Sequence, residues 1–454
     1  MKLLESKIFD VINLILGFIQ NRTEFIRKNS FFLSNLDFFI LLSIIATYIV
    51  STFAQTGIIG AVSFCVPVFV IAKVLLTKGE KIEVEKCNFY LLLYLIICFI
   101  TNFTSSMPMQ SLYGFMKTLI YFAFYFALCQ FLKTNKKYIT LLLMVIASLV
   151  SIESIIALVQ NTLGLENIST WQDTSYVNPE HVLSRVYGTL QPFNPNLFGG
   201  YLIAGISSIF AILALCFKNK KIKLGILTLI YFLIVSLAIF LTGCRGAYLA
   251  LFIMIIGMVL ASYQVIFYDF KNTKIQKLWK TLIAFCGVGG VLFMFLNQSI
   301  FKRLMSIFIL RGDSSTSFRM NVYNSAIQMF QDNWLCGIGV GNKVFREIYG
   351  LYMLSGFDAL SCYCVFLEIA VESGIFALIA YLLFIGTLLT NAVKKFISSN
   401  DIQYKVLLFV TFISIVSVMF HGLFDTIYFR PQIQYIFWTM AAILTVLVRE
   451  EKAE

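Results

Sequence analysis

Long apolar runs recur along the chain, separated by short polar breaks. A helix needs about twenty mostly apolar residues to cross the hydrocarbon core of a bilayer. The pattern therefore predicts an all-α polytopic membrane protein of about twelve spans, of which 88–104 and 281–296 are the shortest. The predicted spans are 37–55, 58–76, 88–104, 111–132, 138–160, 197–217, 223–242, 246–267, 281–296, 365–390, 404–424 and 433–449.

The segment ahead of the first span has a different pattern. Between residues 5 and 19, apolar side chains recur at helical spacing, at Ile8, Phe9, Ile12, Ile15, Leu16 and Ile19. This spacing predicts an amphipathic helix at the membrane surface. No small-residue cleavage site follows it, so we expect no cleavable signal peptide. The chain divides into a cytoplasmic or interfacial N-terminal segment, 1–36, and a single transmembrane domain, 37–449.

Basic residues are distributed unevenly among the connections between the predicted spans. Seventeen lysines occupy the five short connections that follow spans 2, 4, 6, 8 and 10. The four short connections of the other set carry only Arg245 and Arg430. Because basic connections face the cytoplasm, this alternation predicts that both termini are cytoplasmic. The two long connections, 161–196 and 297–364, then lie on the extracytoplasmic side.

Composition and cysteine usage exclude several function classes. Only 13% of the residues are charged, whereas a soluble domain has about 25%. The net charge of +12 does not indicate nucleic-acid binding, because no basic stripe with interleaved aromatic residues is present. The ten cysteines are scattered without a CxxC pair or a zinc-like Cys/His spacing. We therefore expect no nucleic-acid partner, no metal site, no cofactor and no disulfide framework.

Three arginines stand in motifs on the predicted extracytoplasmic connections. Arg185 begins a run with Gln-Pro and Asn-Pro steps that ends at Asn196, which is typical of a compact turn. Arg245 follows Thr-Gly-Cys between spans 7 and 8, and Arg319 is predicted in the first turn of a helix after Asp313. A guanidinium group matches phosphate through two hydrogen bonds. Each arginine also has a structural interpretation, as a rigid loop end, a snorkelling side chain or an exposed helix residue.

Further polar pairs occur at the same expected level of the membrane. Glu368 and Glu372 share a helix face at the start of span 10, where they could pair with the arginines. His421 and Asp425 have the same spacing at the end of span 11, and Arg430 follows them. A histidine suits proton transfer near neutrality, although a structural role is as common. The alternate glycines of Gly337-Ile-Gly-Val-Gly-Asn342 could expose N–H groups to an anion, but a plain turn is the favoured interpretation.

The order of these motifs resembles the O-antigen ligase and polymerase superfamily over roughly residues 150–445. The shared features are the Arg185-Val-Tyr-Gly-Thr189 turn with Asn194-Pro-Asn196, the Thr242-Gly-Cys-Arg-Gly246 run, Arg319 with Trp334 and the glycine run, and Leu367-Glu-Ile-Ala-Val-Glu-Ser-Gly374. The sequence is similar in particular to the cyanobacterial proteins described as bicarbonate transporters, which belong to the same superfamily. That similarity lies in Ser306-Ile-Phe308, Asp313-Ser-Ser315, Ser317-Phe-Arg-Met-Asn-Val322, Asp358-Ala-Leu-Ser361, His421-Gly-Leu-Phe-Asp425 and Arg430-Pro-Gln432.

The resemblance implies a membrane glycosyltransferase fold of the GT-C type in the bacterial inner membrane. Such enzymes move a glycan from a polyprenyl-diphosphate-linked donor to a hydroxyl of a lipid or glycan acceptor, without metal. Two arginines that hold the diphosphate in ligases match Arg245 and Arg319. Ligases also use a histidine near the end of the large loop, where this chain has Ser361-Cys-Tyr-Cys364 instead. We expect His421, oriented by Asp425, to serve as the base, and Arg185, Asn196, Arg430, Glu368 and Glu372 to contact substrate.

Two other functions remain open from the sequence. A bicarbonate transporter should have an ion site near the membrane midplane, between repeats or broken helices. The sequence has no internal repeat, and its polar motifs lie at one end of the spans. A noncatalytic scaffold of an envelope complex is the third possibility.

Overall fold

The computed structural model describes residues 2–82, 84–165, 185–296, 314–354, 356 and 358–449. Within these ranges the chain forms helices and connections and no strand. The helices of the N-terminal part are α1 (Lys2–Lys28), α2 (Phe31–Ser34), α3 (Leu36–Phe53), α4 (Thr56–Leu76), α5 (Lys86–Thr104), α6 (Pro108–Thr134) and α7 (Ile139–Leu163). Those after residue 185 are α8 (Pro195–Lys218), α9 (Ile222–Leu241), α10 (Arg245–Gln264), α11 (Thr273–Leu296), α12 (Ser314–Asp332), α13 (Asn342–Tyr352), α14 (Val365–Ser398), α15 (Ile402–His421) and α16 (Pro431–Val448).

Eleven helices of the described residues are long and apolar enough to cross a membrane. They coincide with eleven of the twelve predicted spans, so the prediction of an all-α polytopic membrane protein is confirmed. The ninth predicted span, 281–296, falls within α11 and is not among the eleven. Several side chains of α11 lie outside the described residues, and the twelfth crossing stays a prediction.

Helix α16 lies at the centre of the bundle. Every residue of its membrane-crossing window is buried, and it packs against α6, α15 and α3. Its Trp438 ring lies among the rings of Phe122, Tyr125 and Phe384, with centroids 4.7–6.0 Å away. Aromatic rings in such tilted and edge contacts fill a core without voids. This central helix gives the surrounding spans a common packing surface.

Small residues bring α8 close to its neighbours. A Cβ atom on Gly205 would lie 2.3 Å from Val150 in α7, and one on Gly200 would lie 2.1 Å from Ile427. Glycines at such positions let helices in lipid approach one another closely. The start of α8 is thereby held against the connection that follows α15, and this contact brings distant polar motifs together.

Helix α14 is broken at Gly374, which has φ +80°. The backbone carbonyls of Val371 and Glu372, which lose their helical partners at the break, accept hydrogen bonds from Ile338 (2.9 Å) and Gly339 (3.0 Å). The N–H of Ile375 donates to the carbonyl of Trp334 at 2.8 Å. The segment between α12 and α13 therefore docks onto the break, and this contact holds both helices against the bundle.

The lysine-rich connections gather at one end of the bundle, called here the lysine end. Lys73 pairs with Asp37 at 2.8 Å and with Glu80 at 3.2 Å, and buried Lys405 pairs with Asp269 at 2.5 Å. Helix α1 is longer than the predicted 5–19 segment and is tied to this end through Gln20, which donates to the Val74 carbonyl at 2.7 Å. The two buried lysines of this end, Lys73 and Lys405, are satisfied by their carboxylate partners, so they serve structure.

Candidate functional site

The opposite end of the bundle, called here the site end, collects the polar motifs from five parts of the chain. They come from the turn before α8, the short connection between α9 and α10, helix α12, the start of α14 and the connection after α15. None of these parts is adjacent in sequence. Their contacts are therefore the product of the tertiary fold.

Asp425 is the centre of the contacts at the site end. Its Oδ2 accepts a hydrogen bond from Asn196 Nδ2 at 3.1 Å and lies 3.6 Å from Arg319 Nη2. Its Oδ1 accepts from the backbone N–H of Thr426 at 2.8 Å. The carboxylate is buried, whereas the Arg319 side chain is 32% exposed. One carboxylate thus joins the start of α8, helix α12 and the connection after α15.

Arg185 extends this network. Its Nη2 donates to Asn196 Oδ1 at 2.5 Å, and its Nε donates to the carbonyl of Thr242 at 2.7 Å. Asn196 therefore accepts from Arg185 and donates to Asp425 through its two amide atoms. The polar chain runs Arg185–Asn196–Asp425–Arg319. These four residues, each singled out in the sequence, form one connected cluster.

The turn that carries Arg185 is fixed by helix α7. Glu153 Oε2 accepts from the N–H of Thr189 at 2.9 Å, and Gln160 Nε2 donates to the carbonyl of Gly188 at 2.9 Å. Gly188 has φ +64°, and a Cβ atom there would lie 2.4 Å from Glu153 Oε2, so only glycine fits. The turn leads into α8, where the Asn194 side chain accepts from the N–H of Asn196 at 2.8 Å as an N-cap. Glu153 is thus a structural clamp.

Arg319 makes three contacts from the side of α12. Besides Asp425, its Nη1 donates to the carbonyl of Phe424 at 3.1 Å, and its guanidinium carbon lies 5.2 Å from the ring centroid of Tyr363. The structure describes α12 from Ser314, so Arg319 is in the second turn and the prediction of the first turn was wrong. The described helix already includes Ser314 to Ser317, which were among the N-cap candidates. Asp313 itself lies outside the described residues.

His421 is the last residue of α15 and is buried. Its Nε2 lies 3.5 Å from the sulfur of Cys244. A Cβ atom on Gly246 would lie 3.2 Å from the same nitrogen, so the start of α10 presses against the ring. Among the described residues, no hydrogen bond joins His421 to Asp425. The small gap beside the ring, lined in part by Tyr428, has no room for a water molecule.

Cys244 is a residue that sequence reasoning did not select. Burial acts to raise the pKa of its thiol, but the hydrogen bond and charge of His421 outweigh burial, so the pKa lies below the ordinary value. The available signal was its place in the run from Thr242 to Gly246, directly before Arg245. The contact between this thiol and a histidine could have been recognised only from the three-dimensional position of His421.

Arg245 is the first residue of α10 and is half-buried. Both of its neighbours, Cys244 and Gly246, approach the His421 ring. Its backbone therefore lies beside the network around Asp425. The approach of its guanidinium group to that of Arg319 stays a prediction.

The two glutamates of α14 are satisfied by backbone groups. Glu368 Oε2 accepts from the N–H of Cys362 at 3.2 Å, and the Glu372 carboxyl is hydrogen-bonded by the backbone of Gly341. Both side chains are buried, and neither forms an ion pair with an arginine among the described contacts. Arg430 is exposed at the start of α16, where its charge acts on Glu368 from a distance. A substrate contact for these three residues stays a prediction.

The glycine run from Gly337 to Asn342 is a structural element. The backbone N–H groups of Ile338 and Gly339 bond to α14, and that of Val340 donates to Ser111 Oγ at 2.8 Å. Gly339 has φ +117°, and a Cβ atom there would lie 2.3 Å from a serine hydroxyl of the turn between α5 and α6. Because these three N–H groups are used within the protein, they are not free to bind an external anion. The plain-turn interpretation holds.

No group of three or more His, Cys, Asp or Glu side chains that could hold a metal ion occurs among the described residues. The site end instead offers arginine side chains, one paired carboxylate and a buried histidine–thiol contact. Such a set can bind an anion through guanidinium groups and can accept a proton.

Comparison with known families adds a specific finding. Residues 229–382 match the family model described as O-antigen ligase. The matched range contains Arg245, Arg319, Glu368 and Glu372, whereas His421 and Asp425 lie beyond its end. A comparison with curated proteins gave no match. The particular similarity to cyanobacterial bicarbonate transporters is not confirmed, but the family match over residues 229–382 supports the resemblance of this chain to the O-antigen ligase superfamily.

Proposed function

We propose that this protein transfers a glycan from a polyprenyl-diphosphate-linked donor to an acceptor hydroxyl on the extracytoplasmic side of the membrane. The match to the O-antigen ligase family supports glycan transfer in general terms. The observation that carries the finer proposal is the cluster around Asp425, in which Arg319 is partly exposed and held at its edge. Donor, acceptor and side of the membrane are parts of the proposal.

The side of the membrane follows from charge. The lysine-rich connections lie at the end of the bundle opposite to Asp425. We assign that end to the cytoplasm under the positive-inside rule, and the site end then faces outward. Because soluble nucleotide-activated donors are cytoplasmic, an outward-facing transferase needs a donor whose leaving group is anchored in the membrane. A glycan linked to a lipid diphosphate meets that need.

We assign diphosphate binding to Arg319 and Arg245. The Arg319–Asp425 distance of 3.6 Å is longer than the 2.7–2.9 Å typical of a charge-assisted hydrogen bond, so this pairing is loose. An incoming phosphate can replace both Asp425 and the Phe424 carbonyl and accept from the two branches of the guanidinium fork. Fixed positive charge at this position stabilises the leaving diphosphate in the transition state. The reaction then has no requirement for a metal ion.

We assign the role of proton acceptor to His421. The charge of Asp425 acts on the ring and favours the proton that the ring takes up. Because His421 is buried, the acceptor hydroxyl can reach it only when the connection at 422–430 moves outward. Binding of diphosphate at Arg319 would release Asp425 and loosen this connection. Donor binding would thus open the way for the acceptor.

The bicarbonate transporter is the weaker alternative. A carrier commonly binds its ion at unpaired backbone groups of a broken helix. At the break in α14, the carbonyls of Val371 and Glu372 and the N–H of Ile375 are already paired with the segment between α12 and α13. Those groups are therefore not available for an ion.

The test in cells is the amount of lipid-linked glycan. A strain that lacks the protein should accumulate the polyprenyl-diphosphate-linked donor, and wild-type protein should remove the excess. Arg319→Ala should not remove the excess of lipid-linked donor. Arg346→Ala should remove it, because Arg346 is an exposed residue of α13 that pairs with Asp358 away from the cluster around Asp425. An unchanged lipid-linked pool in the deletion strain would count against glycan transfer.

A further inference from the structure

The contact between Cys244 and His421 is held from both sides. The Cys244 N–H donates to Thr242 Oγ1 at 3.1 Å, and the carbonyl of Thr242 accepts from Arg185. A Cβ atom on Gly199 of α8 would lie 3.2 Å from the Cys244 Cβ. The connection between α9 and α10 is therefore packed in place. The 3.5 Å distance from the sulfur to His421 Nε2 results from this rigid setting.

The charges around the pair favour one direction of the hydrogen bond. The groups that act on the sulfur are His421, Asp425 and Arg185, and those that act on the ring are Cys244, Asp425 and Arg319. At each group the charge of Asp425 outweighs that of the arginine: it favours a proton on the ring and opposes negative charge on the sulfur, whereas Arg319 and Arg185 act in the opposite sense. The ring therefore donates and the sulfur accepts.

We propose that Cys244 is a positioning residue for His421, whose Nε2–H donates to the Cys244 sulfur and whose Nδ1 is left as the nitrogen that takes up a proton. A histidine has two tautomers, and the hydrogen bond at one nitrogen decides which nitrogen is basic. The importance of this pair for turnover rests on the proposed function. The hydrogen bond itself is independent of the proposed function.

The chain offers a direct spectroscopic test, because His181 and His421 are its only histidines. The full-length protein with His181→Gln is labelled with 15N-histidine, placed in lipid bilayers and studied by 15N NMR across a pH series. We expect Nε2 to keep its proton throughout and Nδ1 to titrate. Cys244→Ser should preserve this pattern because a hydroxyl can also accept, and Cys244→Ala should abolish it. A neutral ring with its proton on Nδ1, or a spectrum unchanged in Cys244→Ala, would overturn the proposal.

Turnover provides the second readout. Cys244→Ala should lower kcat by about tenfold to a hundredfold, the usual cost of a misplaced catalytic group, with the donor KM nearly unchanged. Cys244→Ser should restore most of the rate. Cys216→Ala is the matched control, because Cys216 is equally buried but lies at the lysine end of α8. Full activity in Cys244→Ala would overturn the positioning role.

Failure of the proposed glycan transfer and failure of the positioning role of Cys244 give different results. If wild-type protein transfers no glycan, the proposed function fails, yet the NMR series still decides whether the thiol selects the tautomer. If glycan transfer is present and the tautomer does not depend on Cys244, only the positioning role is lost.

Discussion

Arg319→Lys keeps the positive charge of the proposed diphosphate site and removes the planar fork. Arg319 now points one branch at the Phe424 carbonyl (3.1 Å) and the other at Asp425 (3.6 Å). An ammonium group is a compact point charge and cannot reproduce this paired geometry. We expect the lysine variant to keep one phosphate contact and to lose the other.

The size of the effect follows from these contacts. A hydrogen bond to a charged group contributes about 1.5–3 kcal/mol. At about 1.4 kcal/mol for each factor of ten, the loss of one contact lowers kcat/KM by roughly tenfold to a hundredfold. The fold should survive, because a partly exposed ion pair such as Arg319–Asp425 contributes less than about 1 kcal/mol.

The assay is glycan transfer by purified protein in liposomes that contain a polyprenyl-diphosphate-linked oligosaccharide. Arg346→Lys is the matched control. Arg346 lies on the exposed surface of α13, and two nitrogens of its guanidinium group contact the carboxylate of Asp358. A value of kcat/KM for Arg319→Lys equal to that of the control would refute the assignment of a bidentate phosphate contact.

Three further predictions concern the scaffold. Gly374→Ala should lower the free energy of unfolding by about 3 kcal/mol or more, because φ is +80° and a Cβ atom would lie 2.3 Å from a backbone carbonyl oxygen; an unchanged thermal midpoint in detergent would contradict this. Asp269→Asn should lower the free energy of unfolding by about 3 kcal/mol, because it leaves the buried ammonium group of Lys405 without its charged partner, and adding Lys405→Met should restore part of the loss in a double-mutant cycle. In a chain whose cysteines are replaced by serine, a cysteine introduced at Lys221 or Lys395 should react only with reagents that enter the cytoplasm, and labelling from outside would reverse the topology.

The spans could be predicted from the sequence because length and apolarity alone decide whether a helix crosses a bilayer. The break in helix α14 could not be predicted from the sequence. Gly374 looks like an ordinary glycine in an apolar run, and the break is stable only because Ile338 and Gly339 supply N–H groups to the freed carbonyls. The glycine run was correctly interpreted as a turn, but its hydrogen bonds to α14 could not be predicted, because these partners are distant in sequence.

The members of the site were easier to predict than their contacts. Arg185, Asn196, Arg319 and Asp425 were selected from local motifs, and the fold joins them. Their order in the chain did not indicate that Asp425 would connect the other three. The expected pairing of the α14 glutamates with arginine does not occur among the described contacts, because nearby backbone N–H groups satisfy these carboxyls first.

The most direct test of glycan transfer is a paired measurement on one reconstituted sample. Wild-type protein and His421→Ala are placed in liposomes with lipid-linked glycan extracted from cells that lack the protein, and glycan transfer and bicarbonate flux are both recorded. We predict transfer without flux by the wild type. We predict a rate lower by about a hundredfold or more in His421→Ala, with donor binding retained, because a base acts mainly in the transition state. Bicarbonate flux from the wild type without any glycan transfer would contradict the account.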